Sequence, residues 1–472
     1  MKLGRALGSL PGFLLLAGCM TIFNAQEAQR ALEAKGTGAA AQAAEKISLV
    51  DYSLKELVDF AMTNRPSVVA AALAVKDARL ALKEIAADAP LVSYSPWTAP
   101  HLSLSGGYSA ASESGKSLTW KTEGSASAGL SLQILLYDFG RNAAEANAQV
   151  ERLIAAEHNL VQEGFRVFEE VSSAYFGLME SDALLKVAQT NEVEYALHLK
   201  QAQDRLAAGE AQKLDVARAK LDLSQARELT IAASNTVITT GAELMKALGI
   251  DAARGTCEEV YPIHEDTLSV AVRGFPDTHE SVSETFEFAR TNAPAMSIAR
   301  ARLRSASYSV DRAVADLMPE ISGEVSLSWA DPLWAWHWGV SAVQSVFQGF
   351  RKVTAVDRAV VALQSAATDV DEAEQQLSLD LETAIAVRDN SVKARETARA
   401  SLIAAKENLD MVKARYLEGD ASRVDFTDSV SDYATALGSR VTAFYRGQVA
   451  EARLFAITGK MPDYREELVK EK

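Results

Sequence analysis

The residues best equipped for chemistry in this chain are its six histidines and two cysteines, and their spacing argues against catalysis. His101, His158, His198, His264, His279 and His337 form no pair at the short intervals that hold a metal, and no Cys-x-x-Cys occurs. Cys257 and His264 stand seven apart, so a Cys–His nucleophile is conceivable, but the stretch around them reads as a plain linker. There is no glycine-rich cradle for phosphate and no Gly-x-Ser-x-Gly elbow. These residues point to a non-enzyme with no cofactor and no metal. Any transport would draw its energy from a partner.

Charge narrows the field further. The 472 residues carry a formal charge of −15. Such an acidic surface repels phosphates, so nucleic acid is not an expected partner. Near the N-terminus Lys2 and Arg5 precede a short apolar stretch, Leu10 to Ala17, too short to span a bilayer. It ends in Leu16-Ala17-Gly18-Cys19, and small residues before a cysteine resemble the lipobox of bacterial lipoproteins. That resemblance implies a signal peptide at 1–18, acylation of Cys19, and an Ala-rich, polar linker over 19–47. Loss of residues 1–18 removes Lys2 and Arg5 and no acid, which takes the charge from −15 to −17.

The rest of the chain reads as one plan written twice. Ser53-Leu54-Lys55-Glu56 and Ser281-Val282-Ser283-Glu284 both fit a capping box, 228 apart. Asn64-Arg65-Pro66 matches Asn292-Ala293-Pro294 at the same offset. Farther on the offset becomes 210, pairing Arg141 with Arg351, Gly209 with Gly419, Asp215 with Asp425 and Gly249 with Gly459. The units span 48–250 and 281–461, with a linker at 251–280 and a tail at 462–472. Each reads helix, hairpin, long helix, helix. Residues 351–418 contain no Gly or Pro, and at 1.5 Å per residue they make a rod of about 100 Å. In the counterpart, 141–208, Gly164 and Gly177 are the soft spots. Leu153, Leu160, Val167 and Ala174 step by seven, as do Leu363, Val370, Leu377 and Ala384, which is the seam of a coiled coil.

Two stretches switch from helical to alternating periodicity, at about 100–137 and 319–347, and each reads as a β-hairpin. All six tryptophans fall in or beside them: Trp97, Trp120, Trp329, Trp334, Trp336 and Trp338. Trp concentrates where one side of a ring meets lipid and the other water. Four strands cannot close a transmembrane barrel, whose smallest form has eight. Copies must therefore share one, as a dimer of eight strands or a trimer of twelve. The fold class is mainly α with a β-barrel part.

The lipobox, the doubled helix–hairpin–long-helix–helix unit and the Arg141/Arg351 junctions resemble the TolC-like outer-membrane efflux factors from about Ser48 to Met461. That resemblance implies a homotrimer with a twelve-stranded barrel in outer-membrane lipid and an α-helical tunnel across the periplasm. The tunnel would dock through a periplasmic adaptor protein onto an inner-membrane transporter and serve as a passive exit duct. It also implies a periplasmic gate at Asp425 and Asp428 and a latch between Tyr416 and Asp215. Ala421 stands where some members carry a latching Arg, with Arg423 two residues beyond it. Residue types alone also fit a capping role for Asp425 and Asp215 and a packing role for Tyr416. A non-conducting tether that spans the periplasm would explain the rods, but not the tryptophan-rich hairpins.

Overall fold

A computed structural model describes residues 53–87, 101–113, 121–209, 212–250, 282–330, 333–345, 347–418 and 420–460. Cys19, Cys257, His264, Trp97, Trp120, Ser281 and Gly419 lie outside the described residues. The first half runs α1 (Leu54–Asn64), α2 (Pro66–Ala87), β1 (His101–Glu113), β2 (Lys121–Tyr137), α3 (Arg141–Ala207) and α4 (Lys213–Ala247). The second half repeats the order as α5 (Val282–Asn292), α6 (Pro294–Ala315), β3 (Glu320–Ala330), β4 (Leu333–Val343), α7 (Arg351–Glu418) and α8 (Arg423–Thr458).

Local chemistry sets the boundaries. At the start of α1, Ser53 N–H donates to Glu56 Oε2 at 2.8 Å and Glu56 N–H donates to Ser53 Oγ at 3.4 Å. The box satisfies two donors that the first turn leaves orphaned. Pro66 and Pro294 open α2 and α6, where a missing N–H costs nothing. The long helices α3 and α7, of 67 and 68 residues, are about 100 Å rods. Gly164 and Gly177 do not interrupt α3. Gly164 is a packing site, because a Cβ there would stand 2.8 Å from Met62 Cε on α1.

The seven-residue seam is where the rods meet their neighbours. Val167 is fully buried in a core with Leu57 and Val58 of α1, Val237 and Leu244 of α4, and Val441 and Phe455 of α8. Leu160 and Ala174 pack against the same core. Leu377 and Ala384 bury with Ala289 of α5, Met296 of α6 and Ala293 between the two helices. The matched motifs also come together in space. Gly249 (φ 78°) backs onto Arg65, and Gly459 (φ 72°) onto Asn292, where a Cβ would lie 3.1 Å from the Asn292 carbonyl oxygen. Only glycine takes that left-handed turn at so close an approach.

The four strands form one antiparallel sheet in the order β1-β2-β3-β4. Both predicted hairpins are present, and β2 pairs with β3 to join them.

Candidate functional site

Register sorts the sheet into two chemically different faces. Leu104, Leu130, Leu327 and Trp336 stand in one cross-strand row, and Leu102, Leu132, Val325 and Trp338 in the next such row. Trp329 pairs with Trp334, with ring centroids 6.3 Å apart. The rows between them carry Ser103, Ser131, Ser326 and His337. Ser103 and Ser131 share a hydrogen bond of 2.6 Å on that face, and Ser322 and Ser341 one of 3.0 Å. Because side chains alternate with period two, one face is apolar and the other lined by hydroxyls.

Nothing in the described chain covers the apolar face. The strands pack on one another, with no helical layer across them. Trp334, Trp336 and Trp338 remain 66%, 72% and 66% exposed. In water, each would forgo roughly 3 kcal/mol of burial. The outer edges of β1 and β4 are also unpaired within the chain. Open edges of 11 to 13 residues are templates for another strand.

Where the sheet meets the rods, the polar face opens into a cleft of about 590 Å³ lined by Gln133, Ser322, Ser341, Arg141, Arg351 and Lys352, among others. Arg141 reaches Glu320 at 3.1 Å. Asp138 starts α3 by accepting from Asn142 N–H at 2.7 Å. Phe139 (φ 55°) and Phe350 (φ 62°) hold left-handed backbone at the two junctions, a strain of order 1–3 kcal/mol each. Each stacks edge-on with an aromatic neighbour, Tyr137 at 4.7 Å and Phe347 at 5.7 Å.

At the far end of the rods the two helical hairpins meet in an aromatic stack. His198 of α3 is fully buried and stacks on Phe426 of α8 at 5.3 Å. Tyr416 of α7 stacks on the same phenylalanine at 5.0 Å, and its hydroxyl shares a 3.3 Å hydrogen bond with His198 Nε2. The Arg205 guanidinium sits 5.0 Å from the Tyr416 ring and donates to the Tyr416 carbonyl at 3.2 Å. Arg423 donates to Asp222 of α4 at 2.7 Å. Burial pushes His198 below the usual imidazole range, and the nearby Arg423 and Arg205 add to that shift while Asp222 opposes it. The ring is therefore neutral at physiological pH.

Asp425 and Asp428 lie one turn apart on the exposed face of α8, opposite buried Phe426 and Val430. Asp425 accepts from Ser422 N–H at 3.1 Å, and Ser422 Oγ accepts from Asp425 N–H at 3.1 Å. Those bonds hold the Asp425 carboxyl below its ordinary range. Asp215 caps α4 in the same manner, accepting from Gln212 N–H at 3.1 Å. Within one chain Tyr416 meets His198 and Asp215 serves its own helix. Ala421 packs against the stack, and Arg423 is engaged with Asp222. Sequence reasoning missed His198 and Arg205. A signal was present: Tyr195, His198, Ala202 and Arg205 follow helical spacing along one face of α3.

The chain matches the family described as outer membrane efflux protein over residues 57–250 and 286–460. No match is found among curated protein sequences. Among solved structures, a membrane protein from Pseudomonas aeruginosa aligns with a TM-score of 0.73 at 21% identity, covering 87% of this chain and 94% of that one. VceC, an outer membrane protein of Vibrio cholerae, aligns at 0.72 and 16% identity over 87% and 97% of the two chains. CusC, whose crystal structures concern folding and transmembrane channel formation, aligns at 0.73 and 19% identity over 87% and 93%. At these identities the likeness is one of fold.

Proposed function

The chain belongs to the outer membrane efflux protein family, and from that premise we propose that it is the passive exit duct of a tripartite export machine. One observation carries this reading: a four-stranded sheet whose tryptophan face is bare, whose other face is hydroxyl-lined, and whose two edges are open. Lipid is the solvent that suits the first face, and water the second. Three copies joined edge to edge make a closed barrel of twelve strands, with the serine rows inside. The long helices continue the duct into the periplasm, where an adaptor and an inner-membrane transporter supply cargo and energy. Acylated Cys19 anchors the N-terminus beside the barrel.

The exposed Asp425 and Asp428 ring the periplasmic mouth in this assembly and favour cations over anions. Tyr416 and Asp215 latch the closed entrance, and closing that latch draws Tyr416 away from His198. Purified protein in a planar bilayer is expected to conduct, with cation selectivity that falls when Asp425→Ala is combined with Asp428→Ala. A folded protein that never conducts would favour a tether instead. A conducting pore with unchanged selectivity would remove the gate.

A further inference from the structure

The two halves carry helices of matching length, yet matching helices are not equally buried. Both α2 and α6 have 22 residues and begin with Pro, 228 positions apart. Helix α6 lies between α3 and α7, whereas α2 packs chiefly on α3. Ala301 and Ser305 of α6 are buried against α3, and Ser305 Oγ donates to the Ala148 carbonyl at 3.1 Å. Their counterparts on α2, Leu73 and Asp77, are exposed. So the face of α2 that corresponds to the buried face of α6 has no cover within the chain.

The repeat specifies what should cover it. The relation that carries the first half onto the second also carries the α6–α3 contact onto one between α2 and an α7 that this chain cannot supply to itself. At the 210 offset, Ala148 corresponds to Arg358 and Arg141 to Arg351, both exposed on α7 and seven residues apart. On α2, Asp77 corresponds to Ser305 and Glu84 to Arg312, again exposed and seven apart. In the contact already present, Arg304 ion-pairs with Glu151 and Arg312 with Glu145, so the helices run antiparallel. Asp77 then faces Arg358, and Glu84 faces Arg351. None of the four side chains has an ion-pair partner among the described residues. Leu73 and Leu80 share the acidic face, and Val361 the basic one, all exposed.

We propose that α2 of one copy docks antiparallel on α7 of the next, with Asp77 against Arg358 and Glu84 against Arg351. This rests on the reading of the chain as a homotrimeric channel, and it adds the residues that set the helical register between copies. At the position where the contact inside the chain brings Ser305 onto Ala148, this one brings Asp77 onto Arg358. Exposed ion pairs are individually weak, but a reversed pair repels in all three interfaces at once.

The test uses the full-length protein purified from outer membranes in mild detergent, in a Cys257→Ser background. Asp77→Cys with Arg358→Cys should give, on oxidation, a non-reducing gel ladder that ends at the trimer, while each single cysteine stays monomeric on the gel. Ala148→Cys with Ser305→Cys provides the internal control, closing within one chain and giving no ladder. Asp77→Arg with Glu84→Arg should lower the trimer fraction in native mass spectrometry about tenfold, and adding Arg351→Glu with Arg358→Asp should restore most of it. A conducting oligomer with no cross-link and no response to reversal overturns the proposed register and leaves the channel standing. A wild-type protein that is monomeric and never conducts overturns both.

Discussion

Aromatic side chains behave in opposite ways at the two ends of the molecule. In the sheet, Trp336 is 72% exposed, while at the hairpin ends Tyr416 is 9% and Phe426 4% exposed. Both sets occur at regular spacing on amphipathic elements. The hairpin ends bury their rings because two helical hairpins supply a protein surface on each side. The sheet has no such layer, and its rings stand bare along a band. The difference supports the proposed channel, in which lipid surrounds the sheet while protein and water surround the tip.

The largest expected effect breaks the comparison at the sheet. Trp336→Arg should cost about 2–4 kcal/mol in each copy and deplete assembled protein from the outer-membrane fraction. Val424→Arg, on an exposed position of the tip, should change assembly little. Equal tolerance at the two positions would mean that the sheet does not face lipid. Next comes the core of the tip. Phe426→Ala removes the ring on which His198 and Tyr416 both stack and should cost about 3–5 kcal/mol locally. Hydrogen exchange should then speed up at the ends of α3, α7 and α8, with the Leu244–Phe455 core unchanged.

A smaller effect depends on pH. His198 is held below its unfolded value, so its contribution to the docked tip is present above the usual imidazole range. As pH falls from about 6.5 towards the folded value, the undocked state takes up a proton that the docked state refuses, and the tip weakens. The groups facing the ring are Arg205 on α3, Asp222 on α4, Tyr416 on α7, and Arg423 on α8. Exchange at the tip should therefore rise between pH 7.5 and 5, and His198→Phe should flatten that rise. The smallest change is Ser422→Ala, which removes the hydroxyl that accepts from Asp425 N–H. Exchange in the first turn of α8 should rise a few-fold with no effect on the sheet.

Much of this architecture was legible in the chain. The rod over 351–418 coincides with α7, because an unbroken run without Gly or Pro has few alternatives to helix. The hairpins at about 100–137 and 319–347 hold β1 to β4, because alternation of period two is incompatible with a helix. The capping roles of Ser53 and Asp425 were legible too, since they involve neighbours within one turn. Gly164 was misjudged as a soft spot, because its use depends on Met62, more than a hundred residues earlier. The His198 stack was invisible for a similar reason: its three rings come from three helices.

By itself, the sequence determined which elements form and where they stop, for those choices rest on backbone preferences and on contacts within a few residues. It also determined that the sheet is two-faced, since pleating assigns alternate side chains to opposite sides. Tertiary structure decided which helix is sandwiched and which left bare, so that α6 is covered on faces that α2 leaves open. It also decided that Tyr416 turns inward to His198 while Asp425 and Asp428 turn outward. Those outcomes depend on the packing of distant segments, and periodicity tells only that a face will be covered, not by what.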